Sequence, residues 1–314
     1  MFKTLLSKLN IGTLFKNLNT LLNAKKKYKY INRRAMGRTI RRVPPRGLSG
    51  REGTPRTIIS LTSIPSRMSD MHFTVYSLMD QTLPADAIIL YLGSEFFPKG
   101  ERGLPKSLLQ FKKYGLQIRF VKDLKPYTKF VYSLADYPES FIVTADDDIF
   151  YPRDWLEKLW RTHEEHPECI IAHRAHWIKF ADDGQLLPYK QWGYTKGRPI
   201  PSFKNFLTGV GGVLYPPHAL HGDAGCAEKF TRLAEFADDI WFWASAVRNN
   251  TKVCCVPGGY PKPTFVNIVR ELRLSNSAPT LAMKNNSQNA NDRQLAAVLG
   301  EYPEILECLR NERE

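Results

Sequence analysis

Phe141-Ile142-Val143-Thr144-Ala145-Asp146-Asp147-Asp148-Ile149-Phe150 is the stretch that decides the fold. Its apolar start, 141–143, predicts a short buried strand. The three carboxylates then fall at or just past the C-terminal end of that strand, where open α/β sheets hold ligands. Three adjacent like charges at the edge of a core are costly unless something positive shares the site. A divalent cation such as Mg²⁺ or Mn²⁺ suits carboxylate oxygen. In extended chain, Asp146 and Asp148 point one way and Asp147 the other. The competing reading is an acidic turn at the start of the next helix, with Asp148 or Asp154 near its first residue.

Upstream, strand and helix patterns alternate with short joints. Residues 57–62 are β-branched and end in Thr62-Ser63-Ile64-Pro65-Ser66-Arg67. Pro65 stops this strand, and a helix is predicted over 70–80. A second strand is predicted over 86–92, a helix over 104–114, a third strand over 116–121 and a helix over 127–135. This alternation predicts a mostly parallel sheet covered on both faces. The first strand-to-helix joint has no Gly-rich dinucleotide fingerprint, and no phosphate loop ending in Gly-Lys-Ser/Thr occurs. Thr62 and Arg67 share the predicted edge with Asp146 and can meet a nucleobase, ribose or phosphate. Lys129, on the helix before the acidic strand, is a counter-charge for the carboxylates or for a diphosphate.

Downstream, a helix is predicted from about 151 to 166 and a strand over 169–172. His173 and His176 lack a supporting cysteine or carboxylate and read as hydrogen-bonded histidines rather than a metal pair. Residues 181–206 read as long excursions that form a lid or binding wall. In Leu207-Thr208-Gly209-Val210-Gly211-Gly212-Val213-Leu214-Tyr215 the glycines imply backbone passing close to a bound sugar, or a tight turn. Gly211 and Gly212 are the candidates there. Phe236-Ala237-Asp238-Asp239-Ile240-Trp241-Phe242-Trp243 is a second acidic constellation. One carboxylate caps a helix and the other faces a pocket, where it can take a proton from a hydroxyl. Trp241 either stacks on a sugar or fills the core.

The 314 residues carry a net charge of +14, and its distribution matters more than its size. Residues 1–56 hold seven lysines and eight arginines against Glu52, so the remainder is close to neutral, and the high isoelectric point is no sign that the body binds nucleic acid. Apolar residues at spacings of three and four from Phe2 to Leu22, followed by Lys25-Lys26-Lys27, suit an anionic membrane surface. Residues 44–50 read as a flexible joint. No run approaches the ~18 apolar residues of a membrane span. Five cysteines without paired spacing fit a reducing compartment.

Together these pieces suggest transfer from a nucleoside-diphosphate donor, with Asp239 activating an acceptor hydroxyl. A metal-dependent nucleotidyl or phosphoryl transferase is the alternative enzyme, and a basic membrane- or nucleic-acid-tethering protein is the non-enzymatic one.

The ordered set Pro126-Tyr127-Thr128-Lys129, Thr144-Ala145-Asp146-Asp147-Asp148-Ile149, Gly211-Gly212-Val213-Leu214-Tyr215-Pro216-Pro217 and Ala237-Asp238-Asp239-Ile240-Trp241 resembles sugar-nucleotide-dependent glycosyltransferases of the GT-A fold. Within them it is most similar to bacterial transferases of surface polysaccharide, lipopolysaccharide and capsule. The resemblance spans roughly 57–300. It implies a single catalytic domain with a nucleotide-binding half (57–155) and an acceptor-side half (156–300), while the residues on either side read as a basic arm and linker (1–56) and a peripheral tail (301–314). It implies metal and ribose-diphosphate contacts at Asp146 and Asp148, with Asp147 beside them. It also implies a nucleotide edge at Thr62, Pro65 and Arg67, and an acceptor-activating carboxylate at Asp239, or its neighbour Asp238, in inverting members. The implied substrates are a nucleotide-sugar and a glycan or glycolipid acceptor, used at the cytoplasmic face of the cell membrane. Many relatives supply a late histidine to the metal, whereas the last histidine here is His221; Asp292 or donor oxygens would replace it.

Overall fold

A computed structural model describes residues 29–54, 56–195, 199–259, 263–267 and 289–312. The apolar pattern from Phe2 to Leu22 and the lysines at 25–27 lie outside the described residues, as do residues 285–288 of the polar stretch 285–292.

The chain begins with β1 (Lys29–Tyr30) and α1 (Arg33–Arg42). The body starts at β2 (Thr57–Thr62), whose first amides, with that of Arg56, are fixed by the Asp86 carboxylate at 2.8 and 2.9 Å. There follow α2 (Met71–Met79), β3 (Ala87–Gly93), β4 (Leu116–Val121), α3 (Thr128–Asp136) and β5 (Phe141–Ala145). The predicted helix over 104–114 is only one turn, Lys106–Leu109, tightened into a 3₁₀ segment, Gln110–Tyr114. Gly115, at φ +97°, ends it in the left-handed conformation that glycine supplies without strain. The second half contributes α4 (Trp155–Glu165), β6 (Ile170–Ala172), β7 (Ala175–Trp177), β8 (Gly193–Tyr194), β9 (Asn205–Leu207) and β10 (Val213–Tyr215). It continues through α5 (Ala227–Ala234), α6 (Asp238–Arg248), β11 (Val253–Cys255), β12 (Thr264–Phe265), α7 (Ala290–Glu301) and α8 (Glu304–Asn311).

Seven strands form the central sheet in the order β11-β6-β10-β5-β2-β3-β4. All run parallel except β10, which pairs antiparallel with both β5 and β6. The sheet is therefore mixed, and a strand from the second half lies beside the acidic strand of the first. Alternate residues feed cores on opposite faces: Ile142 joins Tyr127, Phe130 and the α6 side chains, while Val143 joins Leu61, Leu90 and Leu156. Helix α6 is buried on all sides from Ile240 to Val247. Each large apolar side chain there contributes roughly 1.5–3 kcal/mol by leaving water.

Three sequence expectations are corrected by long-range contacts. Residues 44–50 do not hang free as a joint: Gly47 and Ser49 donate backbone N–H groups to Met79 and Ala85 at 3.0 and 2.9 Å, and Leu48 packs against Gly115. Helix α1 also lies against the body, with Met36 and Ile40 on the core and Arg33 paired to Asp70. Residues 181–206 are more than excursions, because β8 and β9 flank β7 in a small antiparallel sheet and Trp192, Phe203 and Phe206 are buried. The tail is not peripheral: Ile305 and Leu309 are fully buried, and the Glu312 carboxylate accepts the Phe203 amide at 3.1 Å.

Candidate active site

The sheet order creates the site. The chain proceeds outward from β2 to β3 and β4, then returns across β2 to place β5 on its other side. In open α/β sheets ligands bind at such a reversal, beyond the C-terminal ends of the strands, which here are β2 and β5. Leu61 pairs with Ala145, so Thr62 and Asp146 leave the sheet side by side.

The acidic triplet divides unevenly. Asp147 is buried and anchors the joint after β2, its carboxylate accepting from the Ser63 hydroxyl and the Arg67 guanidinium. Thr74 donates to its backbone carbonyl at 3.0 Å. Asp148 lies 3.3 Å from the other terminal nitrogen of Arg67. Asp146 instead faces Lys129, with Oδ1 and Nζ 3.2 Å apart. Strict alternation across the triplet fails because β5 ends at Ala145 and its period of two ends with it. Pro65 opens an exposed 3₁₀ turn, Pro65–Arg67, which aims Arg67 back at the triplet.

Lys129 joins the two acidic constellations. Its Nζ is also 3.2 Å from Asp238 Oδ2, and its side chain is only 12% exposed. Burial opposes its charge, but Asp238, Asp146 and Asp239 outweigh that and hold its pKa well above the ordinary value. Asp238 and Asp239 are the first two residues of α6, where negative charge complements the helix dipole. Asp239 Oδ1 accepts the Gly209 backbone N–H at 2.9 Å. A Cβ on Gly209 would sit 3.1 Å from that oxygen and 3.1 Å from Lys129 Nζ, so the backbone approaches the pair as closely as a missing side chain permits. Burial, then the neighbouring Asp238 charge, pushes Asp239 up to about 7, against the opposing pull of Lys129 and the Gly209 amide.

Other candidates stand apart from this cluster. Gly211 and Gly212 form the left-handed turn before β10, at φ +107° and +94°. A Cβ at 212 would lie 2.4 Å from the Trp155 ring, and the Gly211 carbonyl accepts the Trp155 indole N–H at 2.5 Å, so the turn is shaped by packing on Trp155. Trp241 is 1% exposed in the core, its indole N–H donated to Ala224 at 2.8 Å. His173 and His176 do not form a metal pair: His173 Nε2 sits 3.0 Å from the Trp155 carbonyl oxygen, and His176 stacks against Tyr194. Burial lowers both to about 4. Asp292 accepts the Tyr189 amide at 2.7 Å, and His221 pairs with Asp223 at 2.8 Å.

Among the described residues, no group of three or more His, Cys, Asp or Glu is arranged to hold a metal. The donor set nevertheless suits Mg²⁺ or Mn²⁺ in kind. Such ions are commonly held by one or two carboxylates together with substrate phosphates, and Asp146 and Asp148 are two hard oxygen donors at the open end of the sheet. No helix among the described residues is long and apolar enough to cross a membrane.

The residues that sequence reasoning missed are Gly209, Arg174 and Tyr189. Gly209 stood in the quoted glycine run, but nothing local distinguished its amide as the support of Asp239. Tyr189, in the 3₁₀ turn Tyr189–Gln191, feels the charges of both Asp239 and Arg174, a neighbourhood that no local pattern announced.

No family model matches the chain. No curated protein matches its sequence. Solved structures do match, among them the crystal structure of S. aureus TarS 1-349, at 13% identity and a TM-score of 0.45, covering 79% of this chain and 72% of that one.

Proposed function

We propose that this chain is a glycosyltransferase of GT-A type that moves a sugar from a nucleoside diphosphate to a hydroxyl of a glycan or glycolipid. The observation that carries the reading is Lys129, 3.2 Å from Asp146 on the donor side and 3.2 Å from Asp238 on the acceptor side, with Asp239 beside them. A carboxyl with a pKa near 7 in a partly buried cleft is suited to general base catalysis at neutral pH.

The donor lies along the ends of β2 and β5, its nucleotide against Thr62, Pro65 and Arg67. Asp146 and Asp148 would hold a divalent cation, which when bound supplies positive charge to the diphosphate. Asp239 takes the proton of the acceptor hydroxyl as that oxygen bonds to the anomeric carbon. The bond from that carbon to the phosphate oxygen breaks, and the electron pair leaves with the nucleoside diphosphate. Attack from the face opposite the leaving group inverts the anomeric centre. Gly209 keeps the Asp239 carboxylate aimed, and Lys129 balances the charge of Asp146 and Asp238 so that three acids coexist.

Attachment to an anionic membrane surface belongs to the same proposal. Helix α1 exposes Arg34, Arg38, Arg41 and Arg42, and the lysines before it extend the basic character.

The test is a screen of nucleoside-diphosphate sugars with purified protein, with and without Mn²⁺ or Mg²⁺, followed by anomer analysis of the product. Turnover of at least one donor with inversion, lost in Asp239→Asn, is the expected result. Absence of turnover with every donor, or a retained anomeric configuration, would sink the mechanism.

A further inference from the structure

The start of β7 carries a cation that this mechanism leaves unused. Arg174 immediately precedes β7, and its backbone carbonyl accepts the Thr208 amide at 3.1 Å. Thr208 is followed by Gly209, whose amide holds Asp239, so Arg174 and the base hang from one short stretch of backbone. The Arg174 guanidinium lies 4.4 Å from the centre of the Tyr194 ring and donates to the Tyr194 hydroxyl. Arg67 and Arg248 are each locked to an aspartate, whereas no salt bridge joins Arg174 to a carboxylate among the described residues.

Aromatic rings wall this cation. Tyr194 is 53% exposed, and the His176 ring is centred 4.4 Å from it and 5.1 Å from Tyr189. His176 shares the Arg174 side of the strand, two residues on. Burial, then the charge of Arg174, keeps it neutral at pH 7, so positive charge here comes from Arg174 and from Lys179, whose Nζ lies 3.8 Å from where a Cβ on Gly193 would sit. Tyr189 is the link to the base: burial first, and next the charge of Asp239, raise its hydroxyl pKa. Its backbone is pinned by Asp292.

A guanidinium that stacks on an exposed tyrosine and joins no carboxylate among the described residues, on backbone bonded to the stretch that holds Asp239, is suited to receive a planar or tetrahedral oxyanion. Resting on the sugar-transfer reading, we propose that the acceptor carries a phosphoryl or carboxylate group close to its attacking hydroxyl. Arg174 binds that group while Tyr189 and Tyr194 hold the sugar ring.

The test titrates glucose 6-phosphate, glucuronate and glucose into the full chain, with binding read by saturation-transfer NMR. Wild type should bind one or both charged sugars at least tenfold tighter than glucose, an advantage that shrinks with added salt. The stronger of the two identifies phosphoryl or carboxylate. Arg174→Gln should fall to the glucose level, Arg174→Lys should retain part of the preference, and Tyr194→Phe, which keeps the ring, should retain most of it. Binding of UDP and GDP should be unchanged in all three. The proposal is overturned if the three sugars bind wild type alike or not at all, or if Arg174→Gln keeps the preference. It is also overturned if Arg174→Gln weakens UDP and GDP in equal measure, which would put the arginine on the donor. An anion preference in a protein that turns over no donor would leave this site standing and remove the transferase reading instead.

Discussion

Lys129 Nζ lies 3.2 Å from Oδ2 of Asp238, a pairing across 109 positions of sequence that ties the acidic end of β5 to the first turn of α6. One ammonium thus serves carboxylates from β5 and α6, and its removal leaves acids facing one another in a poorly solvated space.

Lys129→Met should lower turnover by about 100-fold or more, because the carboxylates lose their common counter-charge. Asp239 loses an interaction that lowers its pKa, so the acid limb of the pH–rate profile should move to higher pH. An unmoved limb would mean that Asp239 does not set it.

The raised pKa of Asp239 has a stability consequence of definite sign. The folded chain keeps this proton until about pH 7, whereas an unfolded aspartate releases it near its ordinary value. Between those values the folded state binds more protons, so this group's contribution to stability falls as pH rises. Asp239→Asn removes that dependence and can still accept the Gly209 amide. Denaturant unfolding should find it about as stable as wild type at pH 4. At pH 8 it should be the more stable of the two, by on the order of 1 kcal/mol or more.

Gly209→Ala and Gly212→Ala should fail in different ways. At 209 the new methyl presses on Asp239 and Lys129 at 3.1 Å, so activity should drop about tenfold or more with a small change in melting temperature. At 212 the methyl meets the Trp155 ring at 2.4 Å on a left-handed backbone, and unfolding should cost about 2–4 kcal/mol less. Melting curves and turnover on the same two samples separate the effects.

Asp147 and Asp148 are adjacent yet should differ as sharply. Asp147→Asn breaks a buried pair with Arg67 and should destabilise the protein by about 2–4 kcal/mol. Asp148→Asn should fold normally and lose the turnover that Mn²⁺ or Mg²⁺ supports. Full cation-stimulated activity in that variant would take Asp148 off the metal.

Replacing Arg34, Arg38, Arg41 and Arg42 with glutamine should weaken binding to phosphatidylserine vesicles, by up to about 1 kcal/mol per charge removed. Turnover of a water-soluble acceptor should stay within about twofold. Unchanged vesicle sedimentation would remove α1 from the membrane proposal.

Much of this was legible in the sequence where the signal was local. The apolar run 141–143 announced β5, its abrupt end announced the carboxylates, and the buried ridge from Ile240 announced α6. Asp146, Lys129 and Asp238 were recognisable singly, but their convergence on one nitrogen depends on strand order, which residue types do not encode. The docking of Gly47 and Ser49 and the burial of Ile305 and Leu309 were hidden for the same reason. Residues 44–50 have the composition of a linker, and only the distant partners Met79 and Ala85 turn them into structure.

Strand β10 has a bearing on engineering. Because Val213 pairs with Thr144 on one side and Ala172 on the other, the two halves of the chain are planks of a single board. A chimaera that grafts a foreign acceptor portion after residue 156 must bring a strand able to mate with β5, or the acidic edge itself will unravel. Substitutions are better tolerated on the surface around β7 and β8, a separate sheet where changes leave that seam untouched.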